Sequence, residues 1–494
     1  MLSPLATSVP VLDSLYARIE HDPDGQCLSD SDGRMTNEEF GIAVAGAARR
    51  LVGLGVEPGD VVAVLLPNRI DVIVAMYASW AAGATMTPIN PALTDEEVRY
   101  QLADSDARVI VGERRAHSLA SELRIGHFDV DAEGDTPQPA SDTRAAAVTA
   151  EDPALIVYTS GTTGRPKGCV LTHSNIDSMS AAIVSACDLS EQDTSLLILP
   201  LFHCNGLVVG TVAPLRAGGN VHVADRFSPD SFWGNIEHVK PTYFSAVPTM
   251  YSLLADRGRT EHDLSSLRFA ICGAAPMPAG LIASVESTFG IPVVEGYGLS
   301  ECTVAATINP PAGPRKPGTV GIALPGIAIA IDTPDGPNDN PGHTGEVLVR
   351  GATVMRGYLG LPEITENTIR DGWLHTGDIG YLDGDGYLTL VDRLKDMIIR
   401  GGENIAPSEI EHVLQTHPDV LEAAVVGEPH AIYGEVPVAH VVARTGRAIS
   451  VELLAAHCEM NLAKYKRPAR IDVHDALPKN SVGKITKKDL LETR

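Results

Sequence analysis

No two cysteines in this chain of 494 residues stand in a C-x-x-C spacing. Its seven cysteines (Cys27, Cys169, Cys187, Cys204, Cys272, Cys302 and Cys458) are scattered and odd in number, which suits free thiols in a reducing compartment and argues against a disulfide framework or a zinc site. No window of 18 uninterrupted apolar residues occurs, and the opening MLSPLATSVPVLDSLYARIEHDPD lacks a charged stretch followed by a long apolar core. Neither a membrane span nor a secretion signal is expected, and the cytoplasm is the expected location. Basic residues are scarce: 38 Lys and Arg face 63 Asp and Glu, a formal charge of −25 that argues against wholesale binding to nucleic acid or to an anionic membrane. An anionic ligand must therefore find a local basic patch, and Lys464 to Lys488 offers eight Lys or Arg against two Asp. The P-loop spacing G-x-x-x-x-G-K-[ST] is missing, GLSEC lacks the closing glycine of G-x-S-x-G, and neither an internal repeat nor a low-complexity tract is present.

What is present is an alternation. NEEFGIAVAGAARRLVGLG reads as an amphipathic helix stopped by glycine, VVAVLLP as a short buried strand, and RIDVIVAMYASWAAG as another apolar-faced helix. The rhythm recurs at ARVIV, ALIVYTS, SLLILP, LRFAICG and IPVVEGYG, with residues 131–150 reading as a surface loop. It predicts an α/β fold of parallel sheets covered by helices. From about residue 315, AIAIDTPDG, GEVLVRG and YLDGDGYLTLVDR read instead as hairpins turned at Asp-Gly pairs. A calcium loop at DGDG is excluded because position 12 counted from Asp383 is Leu394 and not Glu. After VDRLKD a smaller unit follows in SEIEHVLQTHP, VLEAAVVGEP and VELLAAHCEMNL, which places a boundary near Asp392 to Lys395.

Four segments carry chemistry. In YTSGTTGRPKG a strand-like run delivers Thr159, Ser160, Gly161, Thr162, Thr163 and Gly164 into a turn, with Lys167 behind it. Glycines allow close backbone approach and hydroxyls add short donors, a combination suited to polyphosphate, although alone it also reads as an ordinary surface loop. GYGLSE sets a phenol (Tyr297), a hydroxyl (Ser300) and a carboxylate (Glu301) within one turn; HTGD ends on Asp378; PKNSVGKI isolates Lys484 behind a glycine.

Together with LPLFHCNGL, GAAP and DRLKDMIIRGGENIAPSEIE, these segments resemble, in order and along essentially the whole chain, the core motifs of the adenylate-forming superfamily: acyl-CoA synthetases, peptide-synthetase adenylation domains and luciferases. The resemblance implies a large N-terminal domain (1–392, β-rich from about 315), a hinge at 393–395 centred on Lys395, and a small mobile α+β domain at 396–494. It implies ATP, Mg²⁺ and CoA as cofactors and co-substrates of a two-step reaction: acyl-AMP formation with release of pyrophosphate, then displacement of AMP by a thiol. A homodimer is compatible with it. Catalytic roles fall to Lys484, His203 and Ser300, the last standing where threonine is usual. The residues from Thr159 to Gly164 with Lys167 would handle the outer phosphates, and Glu301 would hold Mg²⁺. Tyr297 and Gly298, with Gly273, Ala274, Ala275 and Pro276, would line the adenine slot. Asp378 and Arg393 would meet the ribose, and Gly401 and Gly402 the pantetheine arm.

Among relatives, an acyl-CoA ligase is favoured. The alternatives are a loader of a carrier-protein thiol, or an enzyme that stops at acyl-AMP, and a nucleotide-binding regulator without catalysis. Phe202, His203, Cys204 and Asn205 offer no carboxylate to pair with an amino-acid amine, and RGGENIAPSEIE resembles CoA ligases. The acyl pocket is expected between Leu199 and Met250, with Val304 to Thr307 opposite and small apolar residues such as Val208, Val209 and Val247 in its lining, which suits an uncharged aliphatic or aromatic tail. RFSPDSFW and YFSAVPTM are similar to oxalate-activating members, but those carry a second histidine where Asn205 stands here, which favours a monocarboxylic acid.

Overall fold

A computed structural model describes residues 9–131, 148–159, 165–258, 261–275, 277–444, 446–479 and 485–492. The chain divides into two compact units: Met1–Pro317 with Gly321–Ala328 and Val349–Leu374, and Gly318–Val320 with Ile329–Leu348 and His375–Arg494.

The first unit is α/β, as the alternation predicts. Helix α1 (Asn37–Gly53) starts at a capping box in which Thr36 accepts from the Glu39 amide while the Glu39 side chain accepts from the Thr36 amide. The following β1 (Val61–Leu65) is buried at every residue. Helix α2 (Ile70–Ala81) is buried on nearly all sides, so its apolar residues surround it instead of forming a stripe. A seven-stranded sheet runs in the order Gly357–Tyr358, Lys167–Thr172, Pro153–Thr159, Thr85–Pro88, β1, Ala107–Gly112, Gly126–Phe128.

The second sheet positions the site. Its strands β2 (Thr194–Leu197), β3 (Asn220–Val223), β4 (Tyr243–Ala246), β5 (Phe269–Cys272) and β6 (Val293–Tyr297) are parallel, in the order β6-β5-β4-β2-β3. The chain leaves β2 to build β3 on one side and then returns to build β4 on the other. That reversal opens a crevice at the carboxyl end of β2, the usual place for a ligand in an open α/β sheet. The segments LPLFHCNGL, GAAP and GYGLSE follow the carboxyl ends of β2, β5 and β6. One face of this sheet is closed by a core in which Phe232, Trp233, Phe244, Tyr251 and Phe289 are buried.

In the second unit, residues 329–348 and 375–393 form antiparallel pairs, with Ile331 opposite Asn338 and Asp378 opposite Arg393. The Asp383 turn joins two strands, its Oδ1 accepting from the amides of Asp385 and Tyr387. Beyond it, strands Ile398–Arg400, Glu403–Ile405, Val420–His430, Gly434–Ala443 and Arg470–His474 make a five-stranded sheet. Helices Pro407–Gln415 and Val451–Asn461 close its core through Ile410, Leu414 and Leu454. No helix among the described residues is long and apolar enough to cross a membrane.

Candidate active site

The phosphate-loop candidate lies in sequence between two antiparallel strands, Pro153–Thr159 and Lys167–Thr172, whose last described pair is Thr159 opposite Lys167. Ser160, Gly161, Thr162, Thr163 and Gly164 lie outside the described residues, as do Pro276 and Lys484. The hairpin base is fixed: the Tyr158 hydroxyl donates to Asp104 Oδ2 at 2.8 Å, and Tyr100 donates to the carbonyl of Pro166 at 3.0 Å.

Lys167 points at a residue that the sequence does not single out. Its Nζ lies 4.2 Å from the centroid of the Tyr358 ring, and the Tyr358 hydroxyl donates to Glu301 Oε1 at 2.6 Å. The ring receives the cation on its face and its hydroxyl meets the carboxylate at its edge, so Tyr358 couples the phosphate-loop lysine to the metal candidate. Burial, then the Glu301 charge, pushes the Tyr358 phenol well above its ordinary range, which keeps it a donor. The strand pair Gly357–Val170 and Tyr358–Cys169 sets the ring in place.

The turn carrying Ser300 and Glu301 is a short 3₁₀ segment, Ser300–Cys302. The Met355 amide donates to the Glu301 carbonyl at 2.8 Å, and the Cys169 thiol donates to the Ser300 carbonyl at 3.3 Å. Thr303 holds a left-handed φ of 74° and donates its fully buried hydroxyl to the Thr353 carbonyl at 2.6 Å, an anchor that offsets the strain of that conformation. Tyr297 is buried at the end of β6, and the next residue must be glycine: a Cβ on Gly298 would sit 2.4 Å from both the Val304 carbonyl oxygen and the Ala305 Cα. Across from it, Gly273 follows β5, its amide donating to the Ala246 carbonyl at 3.3 Å, and Ala274 and Ala275 continue the turn. The buried Glu295 accepts from the Met277 amide at 3.3 Å and holds the far end of that turn.

LPLFHCNGL does not continue as a strand or an α-helix. Residues Asn205–Val212 form a π-helix behind β2, and Val208 and Val209 are buried in it. His203 and Phe202 pack ring on ring at 4.5 Å. Burial pushes the His203 imidazole down to about 4, so it is neutral near pH 7.

Asp378 and Arg393 belong to the second unit and face each other across a strand pair, with Arg393 Nε 2.9 Å from Asp378 Oδ1. The turn before Asp378 is held by Glu346, which accepts from the Gly377 amide at 2.8 Å and meets His375 Nδ1 at 2.8 Å. With Asp332 these two form a group of potential metal ligands, but Glu346 is already engaged on the turn it positions. Lys395 lies on an exposed 3₁₀ turn. Gly401 and Gly402, at φ 60° and 91°, turn the hairpin between Ile398–Arg400 and Glu403–Ile405.

The basic run near the C-terminus is not a free cationic patch. Lys466, Arg467, Arg470, Lys479 and Lys487 pair with Glu409, Glu459, Glu428, Glu422 and Glu411 respectively, so most of its charge is neutralised from neighbouring elements. Those five cations answer acidic side chains that sequence distance conceals, while Lys484 of the same run lies outside the described residues.

Residues 15–359 match the family model described as AMP-binding enzyme, and 409–484 match the AMP-binding enzyme C-terminal domain. The chain is 38% identical over 488 residues to an oxalate–CoA ligase of Arabidopsis thaliana, covering 94% of this chain and 95% of that protein. It is 38% identical over 464 residues to a feruloyl-CoA synthase of an Amycolatopsis species, covering 92% and 93%. The o-succinylbenzoate CoA synthetase of Bacillus subtilis, solved with its acyl-adenylate intermediate, superposes with a TM-score of 0.87 at 33% identity, covering 97% of this chain and 98% of that one. The same synthetase has also been solved with ATP and a magnesium ion.

Proposed function

The chain belongs to the AMP-binding enzyme family, and from that membership we infer that it is an ATP-dependent acyl-CoA ligase. A carboxylate oxygen attacks the α-phosphorus of ATP, the bond to pyrophosphate breaks, and acyl-AMP results. The CoA sulfur then attacks the acyl carbonyl, the bond to AMP breaks, and the thiol proton is lost to the surroundings. The observation that supports this reading is the Lys167–Tyr358–Glu301 array, whose carboxylate stands on the turn after β6. Bringing two anions together demands fixed cationic and donor groups where charge develops, and that array supplies a cation and a carboxylate, with the Ser300 hydroxyl next to Glu301 in sequence.

The residue roles follow from chemistry and placement. Thr159 and Lys167, with the hydroxyls and amides of 160–164 between them, handle the outer phosphates and let pyrophosphate go. Ser300 donates near the α-phosphate. Glu301 fits a hard cation, since it offers carboxylate oxygen beside the phosphate-loop lysine; Mg²⁺, when bound, withdraws charge from the triphosphate. Tyr297 and Gly298 with Gly273, Ala274, Ala275 and Pro276 form the adenine slot, where the missing Cβ at Gly298 keeps the backbone close. Asp378, steered by Glu346, accepts from the ribose, with Arg393 at its side. Lys484 supplies the ammonium for adenylation. A change of a few backbone torsions at Lys395 would exchange it for the Gly401–Gly402 turn, which then lines the path of the CoA arm. A homodimer would be compatible with this chemistry but takes no part in it.

A pyrophosphate-release screen over carboxylic acids of graded size, with and without CoA, tests the reading. Sustained turnover that depends on CoA and yields thioester is expected. A single turnover arrested at bound adenylate, unaffected by CoA, would instead indicate a carrier-protein loader. Silence across the screen would indicate a nucleotide-binding protein without catalysis.

A further inference from the structure

The acyl side of the site contains polar atoms that its apolar surroundings leave unanswered. Alternate residues of a strand share a face, so Tyr243 and Ser245 of β4 point one way and Phe244 and Ala246 the other. Phe244 and Ala246 enter the aromatic core. The Tyr243 hydroxyl donates to the Val209 carbonyl of the π-helix at 3.0 Å, so Ser245 also turns toward that helix. Ser245 is 6% exposed, and its Oγ has no hydrogen-bond partner among the described residues. The same holds for Asn205 Oδ1 at the start of the π-helix and for His203 Nε2 just before it. Asn205 Nδ2 lies 3.7 Å from the point that a Cβ on Gly273 would occupy, which places this segment next to the turn assigned to the nucleotide.

Buried polar groups are nearly always paired, and where three exceptions stand beside a ligand site, an ordered water or a group of the ligand completes the pairing. The three atoms differ in what they accept. A serine hydroxyl donates and accepts, a neutral imidazole nitrogen does one or the other, and an amide oxygen only accepts. A plain hydrocarbon tail would leave all three unpaired. A second carboxylate only accepts and has no proton to give Asn205 Oδ1, so it leaves that atom unpaired. A hydroxyl, donor and acceptor at once, suits each of the three kinds of group.

Resting on the acyl-CoA ligase reading, we propose that the acid activated here carries an uncharged hydroxyl, aliphatic or phenolic, that hydrogen-bonds with Ser245 and Asn205 beside His203. The oxalate–CoA ligase relative therefore shares this chain's reaction but not its acid.

The test uses two matched sets of acids with the full-length enzyme: an aliphatic hydroxy acid, its unsubstituted parent and a dicarboxylate of equal length, and an aryl set built the same way. Pyrophosphate release and thioester formation are both followed. In one of the sets kcat/KM for the hydroxy acid is expected to exceed that of both partners by about 10- to 100-fold, and the set that shows it identifies the source of the hydroxyl. In Ser245→Ala and in Asn205→Leu that ratio should fall toward one. Thioester formation with equal efficiency from all acids, or a preference for the parent or the dicarboxylate, would overturn the proposal and leave the ligase reading intact. So would variants that slow hydroxy acid and parent alike, since the polar atoms would then serve the common carboxylate. Silence with every acid would remove the ligase reading itself and the proposal with it.

Discussion

Lys484→Ala is expected to lower acyl-AMP formation by about a hundred- to a thousandfold, the cost of removing one group aimed at developing charge. Thioester formation from supplied acyl-adenylate and CoA should stay within about threefold of the unaltered enzyme, because the proposed change of torsions at Lys395 has by then exchanged Lys484 for the Gly401–Gly402 turn. The flanking structure makes the residue a good test. Lys479 and Ile485, the described residues on either side of the segment that carries Lys484, form an isolated antiparallel bridge. The lysines on either side, Lys479 and Lys487, pair with Glu422 and Glu411 and are not substitutes for it. Quench-flow measurement of acyl-AMP, alongside a coupled assay of the second step, separates the two outcomes. Equal loss in both steps would contradict a lysine that serves adenylation alone.

Glu301→Gln should lower adenylation by about a hundredfold and make the residual rate climb with Mg²⁺ well beyond the concentration that saturates the unaltered enzyme. The change removes charge and little else: a glutamine oxygen can still accept from the Tyr358 hydroxyl that lies 2.6 Å from Glu301 Oε1, so stability should fall by no more than about 1 kcal/mol. Tyr358→Phe is the matching control. It keeps the ring under Lys167 and removes only the donor that orients the carboxylate. A loss of about three- to tenfold, with a smaller change in Mg²⁺ dependence, is expected for a group that acts through another. Titration of ATP-dependent activity against Mg²⁺ at fixed ATP distinguishes them. If Glu301→Gln keeps its rate and its Mg²⁺ midpoint, the carboxylate serves only to hold the turn.

Much of this was legible in the sequence because local physics dictated it. The helix from Asn37 to Gly53 announced its own start in the Thr36–Glu39 spacing, and the Asp383 hairpin announced its turn. The strand–helix alternation led to parallel sheets, and with them to a crevice at the carboxyl ends of the strands. What stayed hidden depends on chain segments far apart. Tyr358 sits 57 residues from the Glu301 it orients, and no periodicity links them. The π-helix after Asn205 reads as a plain apolar run, because hydropathy cannot distinguish its hydrogen-bond spacing from that of an α-helix. The basic run from Lys464 looked like a ligand patch until the glutamates facing it were placed. The orphaned atoms of His203, Asn205 and Ser245 are visible only once burial is known.

An acid activated by bonding to the α-phosphorus of ATP leaves one of its oxygens on the nucleotide. Acid labelled with ¹⁸O in its carboxylate, turned over with ATP and CoA, reveals that transfer by mass spectrometry of the nucleotide product. AMP carrying one labelled oxygen, with unlabelled pyrophosphate, is expected. Unlabelled AMP, or ADP with labelled inorganic phosphate, would contradict that activation.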